Sequence, residues 1–450
     1  MSKEQITSGF ARRRFRAYPQ YKNSGVEWLG GIPAHWDITP IRSLAKSGYK
    51  TFVDGDWIES PFIRAEGIRL IQTGNLGIGL YKEQGFRYID EETFHLFHCT
   101  EVFPRDLLIC RLADPVGRAC LAPDLGCRMI ASVDVCILKT ADNIDASYVV
   151  YALSGEGYLS WLSAICRGGT RDRVSRSMLS SVPIQKPLLE EQRAISSFLD
   201  RETAKIDALI EKKERLIELL QEKRTALITQ VVTKGLDPTV PMKDSGIEWL
   251  GKVPTHWSIK SNKRLFEDSD IRSDFGDEEL LTVSHLSGVT RHSEKNVTMI
   301  EPESYEDYKI CRAGELAINT MWAWMGALGI AKENGIVSPS YNVYALRTSS
   351  LDPRYYDYLC RTPLHIAELT RYSKGIWKSR LRLYPDGFYE ISTPLPPITE
   401  QEQIADFVDS AVLKVDVMLM ATRKAVDRLR EYRTALISAA VTGKIDVREA

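Results

Sequence analysis

The sequence is short of the parts that catalysis uses. It holds only 7 histidines in 450 residues, and no Ser/His/Asp grouping stands out among them. No Gly-x-x-x-x-Gly-Lys-Ser/Thr loop is present to cradle nucleotide phosphates. No Asn-Pro-Pro-Tyr-like phrase occurs, the element with which amino-methyltransferases hold a target base. Pro123-Asp124 and Pro385-Asp386 lack a following Glu-x-Lys, so a metal-dependent nuclease site has no carrier. The absences together point to a non-catalytic chain.

Charge of one sign is lacking too. With 59 Lys+Arg against 60 Asp+Glu the net charge is −1, which argues against an indiscriminate polyanion binder but not against a reader with cations gathered on one face. No apolar run reaches 18 residues, so no membrane span is expected. Residues 1–20 carry Arg12, Arg13, Arg14 and Arg16 without an apolar run, a basic arm or a loose start rather than a secretory signal. The 8 cysteines include no Cys-x-x-Cys pair; without an export signal they read as reduced thiols packed as small hydrophobes in a cytoplasmic protein. His95, His98 and Cys99 alone look metal-like, but a fourth ligand at a familiar spacing is missing, so no metal is expected.

What the chain does have is repetition. Residues 22–36, KNSGVEWLGGIPAHW, return at 243–257 as KDSGIEWLGKVPTHW. Glu191-Gln192 with Ile195 and Phe198 returns as Glu400-Gln401 with Ile404 and Phe407, and Arg224-Thr-Ala-Leu-Ile228 returns as Arg433-Thr-Ala-Leu-Ile437 at the same offset. A duplication of this kind dictates the architecture: two modules, each opening with a Trp phrase and closing with a long helix. Glu191 to about Val232 contains neither proline nor glycine, and Ile195, Leu199, Ile206, Leu209, Leu216, Leu220 and Leu227 trace a coiled-coil seam. Its second copy is Ile404, Val408, Val415, Met418, Ala425, Leu429 and Leu436. About 40 residues at ~1.5 Å each predict a rod of roughly 60 Å, a candidate ruler. Pro183 and Pro187, and Pro394, Pro396 and Pro397, mark the helix starts. The expected fold is α+β with an internal pseudo-twofold repeat. It comprises a basic arm (1–20), a first mixed α/β body (21–187), a central helix (188–236), a second body (237–397) and a C-terminal helix (398–450).

The bodies between these shared ends hardly resemble one another in sequence, as expected if a common frame carries two different readers. Each offers glycine and base near its C-terminal end. The first has Arg167-Gly168-Gly169-Thr170-Arg171-Asp-Arg173, then Arg176; the second has Lys374-Gly375-Ile-Trp377-Lys378, then Arg380 and Arg382. Glycine lets a backbone approach a phosphate, arginine and lysine neutralise it, and arginine also reads a guanine edge. One such stretch alone is most simply a solvated loop; two at corresponding places favour nucleic-acid contact. Gln72, Asn75 and Asn319, the last near Trp322 and Trp324, are weaker candidates for adenine contacts and read better as turn residues beside core aromatics. His35 and His256, identically placed in Pro-x-His-Trp, read as packing or capping groups of the frame.

The twin Gly-x-Glu-Trp-Leu-Gly-x-x-Pro-x-His-Trp phrases, the twin Glu-Gln-x-x-Ile helix starts and the twin Arg-Thr-Ala-Leu-Ile ends resemble the specificity subunit of Type I restriction-modification enzymes. The resemblance runs from about Tyr18 to Asp446. Gln72-Thr-Gly-Asn-Leu76, Gly326-Ala-Leu-Gly-Ile330 and Val337-Ser-Pro-Ser-Tyr341 look like parts of that family's target recognition domains. It implies two such domains, each reading half of an asymmetric bipartite site in double-stranded DNA, with the helices packed antiparallel as a coiled coil that sets the spacer. It further implies docking of two methyltransferase subunits, which flip and methylate adenine, and of restriction (motor-nuclease) subunits. S-adenosylmethionine, ATP and Mg2+ are then expected on the partners, with no cofactor on this chain. Two other readings compete: a DNA-specificity chain of another modification or defence system, which gene neighbours would decide, and a coiled-coil adaptor without DNA recognition. Sequence-independent binding would favour the adaptor, and turnover by the purified chain would reveal an overlooked enzyme.

Overall fold

The computed structural model describes residues 15–48, 50–112, 115–166, 172–285, 287–294, 304–377 and 380–449. Pro187, and Pro396 with Pro397, end the preceding strands, and two long helices follow, Leu189–Lys234 and Ile398–Val441; Pro183 and Pro394, also expected to mark the helix starts, lie within those strands, at their edge pairing. The chain divides into two compact units that are not contiguous in sequence. The first unit joins the chain up to Lys213 with residues from Ala425 onward, and the second holds Glu214–Lys424. Each unit therefore combines one body, the first part of the helix that follows that body and the last part of the other long helix.

Both bodies use one sheet plan. In the first, four antiparallel strands lie in the order Phe52–Asp54, Val135–Leu138, Leu107–Cys110, Ala119–Leu121. The second repeats it with Phe266–Asp268, Asn342–Leu346, Leu316–Ile318, Leu328–Ile330. The divergent sequences thus share a scaffold, because a sheet core asks only for apolar residues of suitable size. Leu107–Cys110 and Val135–Leu138 are buried at every position, as the continuous apolar runs require. Elsewhere the bodies differ. The first adds a sheet in the order Tyr88–Ile89, Ile68–Ile71, Met129–Ala131, Glu101–Val102, in which Met129–Ala131 pairs parallel to Ile68–Ile71. The described residues of the second form two antiparallel pairs instead, the hairpin Leu281–Ser284 with Gly288–Arg291, and Lys309–Cys311 with Gly335–Val337.

A two-stranded ribbon closes each body: Asp37–Pro40 runs antiparallel to Pro183–Lys186, and Ser258–Ser261 to Ser392–Leu395. The ribbon carries each Trp phrase back to the start of a long helix.

The long helices pair within both units. In the first, Ile195, Leu199 and Ile206 share a core with Leu429, Leu436, Ile437 and Ala440. In the second, Leu220 packs with Val415 and Leu419, and Ile228, Val231 and Val232 share a core with Ile404 and Val408. Early residues of one helix meet late residues of the other in each case, so the pair is antiparallel. The predicted seam is buried at Ile195, Leu199, Ile206, Leu220, Ile404, Val408, Val415, Leu429 and Leu436, and slips by one residue elsewhere. Leu209, Leu216 and Met418 are 39%, 40% and 50% exposed, and Leu227 and Ala425 are only partly covered. Thr203, Ile210, Ile217, Leu419 and Val426 turn inward instead. The physical reason is the doubled apolar pairs Leu209-Ile210, Leu216-Ile217, Leu227-Ile228 and Met418-Leu419. Either member satisfies a heptad pattern, and the fold takes the second.

Each helix ends on a left-handed glycine, Gly235 at φ +82° and Gly443 at φ +69°. Both press on the Trp phrase of their own unit. A Cβ on Gly443 would stand 2.3 Å from Pro33 Cδ, and one on Gly235 3.5 Å from Trp257 Cζ2.

Candidate nucleic-acid interface

The repeated residues build the frame. His35 Nε2 lies 2.9 Å from Glu191 Oε2, and His256 Nε2 lies 2.7 Å from Glu400 Oε2. The next residue of each phrase, Trp36 or Trp257, is buried in the core. Gln192 accepts from the Asp145 backbone at 2.9 Å and donates to Pro187 O at 2.8 Å; Gln401 does the same with Asp352 and Pro396, both at 2.8 Å. Asp145 and Asp352 in turn cap the helices Ala146–Ala152 and Pro353–Cys360. Glu-Gln thus ties its long helix to the Trp phrase through the glutamate and to a capped helix of the body through the glutamine, so the duplicated histidines hold the frame together.

In the first body, Arg167, Gly168, Gly169, Thr170 and Arg171 lie outside the described residues. Arg173 and Arg176 are described, and they face acids. Arg173 donates to Asp134 Oδ1 through Nε and Nη2 at 2.9 and 2.7 Å, and Arg176 Nε lies 3.2 Å from Asp54 Oδ2. The buried Arg111 sits between the same two acids, 3.3 Å from Asp54 and 3.6 Å from Asp134. Three cations on two carboxylates leave this patch net positive. Arg173 and Arg176 are about half exposed, and ion pairs at such exposure contribute at most ~1 kcal/mol, so either guanidinium exchanges its acid for a phosphate at little cost.

In the second body, Lys374 and Arg382 exchange backbone hydrogen bonds at 2.9 and 3.0 Å, closing a hairpin. Lys378 lies outside the described residues. Gly375 is required here: a Cβ would stand 2.6 Å from Arg380 O. Lys374, Arg380 and Arg382 are exposed, with no side-chain ion pair among the described residues. Trp377 is 69% exposed, and Ile376, which the sequence pattern does not mark as a site residue, is 95% exposed. The hairpin rejoins the body at Leu383, whose N–H donates to Thr320 O at 3.0 Å, near the exposed Trp322.

The amides are internal. Asn75 is buried, donates to Lys82 O and Gln84 O at 3.0 and 2.7 Å and accepts from the Gln72 backbone; Gln72 precedes the turn that Asn75 closes. Asn319 is buried and donates to Tyr341 Oη at 3.0 Å. The residues that sequence reasoning missed are Arg69 and Arg118, both buried. Arg118 donates to Thr73 O, Leu76 O, Leu112 O and Pro115 O, and Arg69 to Gln84 O at 2.8 Å. Together they staple the loop that presents Ile78, Leu80 and Phe86 to solvent. Nothing in the local pattern separates these arginines from surface ones.

The described part of the basic arm holds to the frame: Arg16 bridges Asp446 through the backbone, with its side chain 3.4 Å from Glu449. His95 faces Glu91 in solvent while Cys99 is buried, and among the described residues no three His, Cys, Asp or Glu converge as metal ligands. No helix among the described residues is long and apolar enough to cross a membrane.

Residues 100–219 match the family model described as the Type I restriction modification DNA specificity domain. The specificity subunit of Type I restriction enzyme MjaVIII of Methanocaldococcus jannaschii is 22% identical over 339 residues, covering 72% of this chain and 76% of that subunit. Among solved structures, a chain from a type I R-M system, studied for complex assembly and conformational transition, aligns with TM-score 0.61 at 14% identity. That alignment covers 91% of this chain and 98% of that one. The HsdS subunit from Thermoanaerobacter tengcongensis aligns with TM-score 0.52 at 13% identity, covering 92% and 98%.

Proposed function

We infer that this chain is a specificity subunit of the Type I restriction-modification family, the DNA-recognition chain of a multisubunit complex. The observation that carries the inference is the match of residues 100–219 to a DNA specificity domain, on a chain whose fold follows solved type I R-M subunits along nine-tenths of its length. It sets aside the adaptor without DNA contact. The chain selects sequence and performs no catalytic step; methyl transfer and cleavage belong to its partners, along with S-adenosylmethionine, ATP and Mg2+.

Each body reads one half of a bipartite, asymmetric duplex site in the cytoplasm. Arg173 and Arg176, with Arg167–Arg171, serve the first half; Lys374, Lys378, Arg380 and Arg382 serve the second, some on phosphates and some on guanine edges. Two methyltransferase subunits dock on the frame, and restriction subunits join through them. The duplicated Arg-Thr-Ala-Leu-Ile segments support two copies of one partner. Arg224 and Ile228 line a groove of about 110 Å³ with Tyr358, and Arg433 and Ile437 line one of about 470 Å³ with Tyr151. The length of the paired helices sets the spacer between half-sites, so four residues inserted at matched positions in both helices lengthen the preferred gap.

The test is selection from a pool of random duplexes by the full chain co-purified with its methyltransferase partner. The recovered duplexes are expected to share two short blocks around an unspecified gap. Binding of every duplex alike would refute the reading.

A further inference from the structure

We propose that the Lys374–Arg382 hairpin of the second body is a wedge that inserts Trp377, backed by Ile376, between two stacked base pairs of its half-site. The proposal rests on the DNA-reading function inferred above and adds how one half of the site is read.

An indole and a sec-butyl group side by side at 69% and 95% exposure are a costly thing to hold in water. The hairpin holds them there by construction. Its arms are bridged at Lys374 and Arg382, Gly375 lets the strand return within van der Waals reach of Arg380, and the Arg380 N–H donates to Trp377 O at 2.8 Å. The base is pinned to Thr320 by Leu383. Closure at the described base of the hairpin carries both apolar side chains out into solvent.

Charge complementarity selects duplex DNA as the occupant. Lys374, Arg380 and Arg382 surround the tip with exposed cations, the arrangement that grips the backbone on either side of an opened step. A groove floor offers such a tip little, because its only apolar group on the major-groove side is the thymine methyl. The large apolar faces of DNA are those between stacked pairs, and apolar side chains that enter them unstack the step and kink the duplex. Pyrimidine–purine steps open most cheaply, so the inserted step is of that kind. The corresponding run of the first body, Arg167–Arg173, contains no aromatic residue, and its described arginine, Arg173, lies against Asp134. That run therefore supplies no counterpart of this wedge.

The experiment uses the full chain with its methyltransferase partner and duplexes carrying the selected site, with 2-aminopurine placed in turn at each position of both blocks and the gap. With the wild type, fluorescence is expected to rise several-fold at one step of the second block. Trp377→Ala should abolish the rise and weaken binding roughly ten- to a hundredfold, while Trp377→Phe keeps most of both. A mismatch placed at that step should tighten the wild type and leave Trp377→Ala unchanged. Because Trp377 is exposed, its replacement should leave the melting temperature in place. A wild type that binds both blocks with no fluorescence rise would overturn the wedge and leave DNA reading intact. Loss of the methyltransferase partner on Trp377→Ala, with the rise preserved, would overturn it by making the tip a protein contact. A wild type that selects no sequence would remove the premise and the wedge with it.

Discussion

The two units place the same tryptophan of the repeated phrase over different side chains. In the first, Trp28 packs edge-on to Tyr158, the third residue of the helix Glu156–Ile165, and the Tyr158 hydroxyl donates to Gly117 O at 3.3 Å. In the second, Trp249 packs edge-on to His365, the third residue of Pro363–Tyr372, and neither ring nitrogen of His365 makes a hydrogen bond of normal geometry among the described residues. The indoles below differ in the opposite sense: Trp257 Nε1 donates to Glu400 at 3.1 Å, whereas Trp36 Nε1 is unpartnered. A duplicated frame thus tolerates changed chemistry at buried positions while shape is kept. It should answer differently to the same perturbation in its two halves.

The largest effect is expected from the frame tryptophans. Trp36→Ala and Trp257→Ala should each cost ~3–5 kcal/mol, lost mainly from the unit concerned. Hydrogen exchange by mass spectrometry reports both units in one chain. Phenylalanine sharpens the comparison, because Trp257→Phe also removes the donor to Glu400 and should cost ~1 kcal/mol more than Trp36→Phe. Equal losses would mean that the Trp257–Glu400 bond contributes nothing.

Acid should separate the units next. Burial pushes the His365 imidazole from its ordinary 6.5 down to about 4, a shift that the Cys360 backbone and, more weakly, the carboxylate of Glu368 only partly oppose. The unfolded chain then takes up a proton near pH 6.5 that the fold refuses until about pH 4. Stability of the second unit is expected to fall as pH drops through that window, by ~3 kcal/mol in all. The fall should be absent in His365→Phe, and Tyr158 gives the first unit no such term. Protection factors, corrected for the intrinsic pH dependence of exchange, that fall equally in both units on acidification would refute this.

The smallest effect concerns ion pairs between the helices. Arg433 Nε lies 2.8 Å from Asp207 in the first unit, and Arg224 Nε lies 3.2 Å from Asp416 in the second, at equivalent places in the repeat. All four side chains are substantially exposed, so Arg433→Ala and Arg224→Ala should each cost ~0.2–1 kcal/mol, less at high salt. A double-mutant cycle against the aspartate measures the pair itself. A coupling much beyond that range would give these pairs a larger part in the frame than their exposure allows.

How much of this was legible depended on how local the signal was. The long helices, their proline-marked starts and the duplication stood in the sequence because each is a property of neighbouring residues. Most of the seam stood there too, but its slips did not, since Leu209-Ile210 and Leu216-Ile217 offer two apolar choices that only the partner helix separates. The shared sheet stayed hidden because Leu107–Cys110 and Leu316–Ile318 do the same work with interchangeable apolar residues. The basic stretches could be named, but Asp54 and Asp134 lie far from Arg173 and Arg176 in sequence. Their pairing, like the buried roles of Arg69 and Arg118, becomes visible only once the chain is folded. Asn75 closes a turn because turn chemistry is local, whereas Trp322, expected as a core aromatic beside Asn319, stands 48% exposed, since burial is decided by the fold and not by residue type.

The central claim is that a common frame carries two readers of different sequence. Its most direct test is long-read mapping of methyladenine in cells that express the chain with the proposed methyltransferase partner. Methylation is expected at a split motif, two short defined blocks around an unspecified gap, with changes to the Lys374–Arg382 hairpin altering one block only. A single continuous motif, or an intact complex that leaves no new methylation, would contradict it.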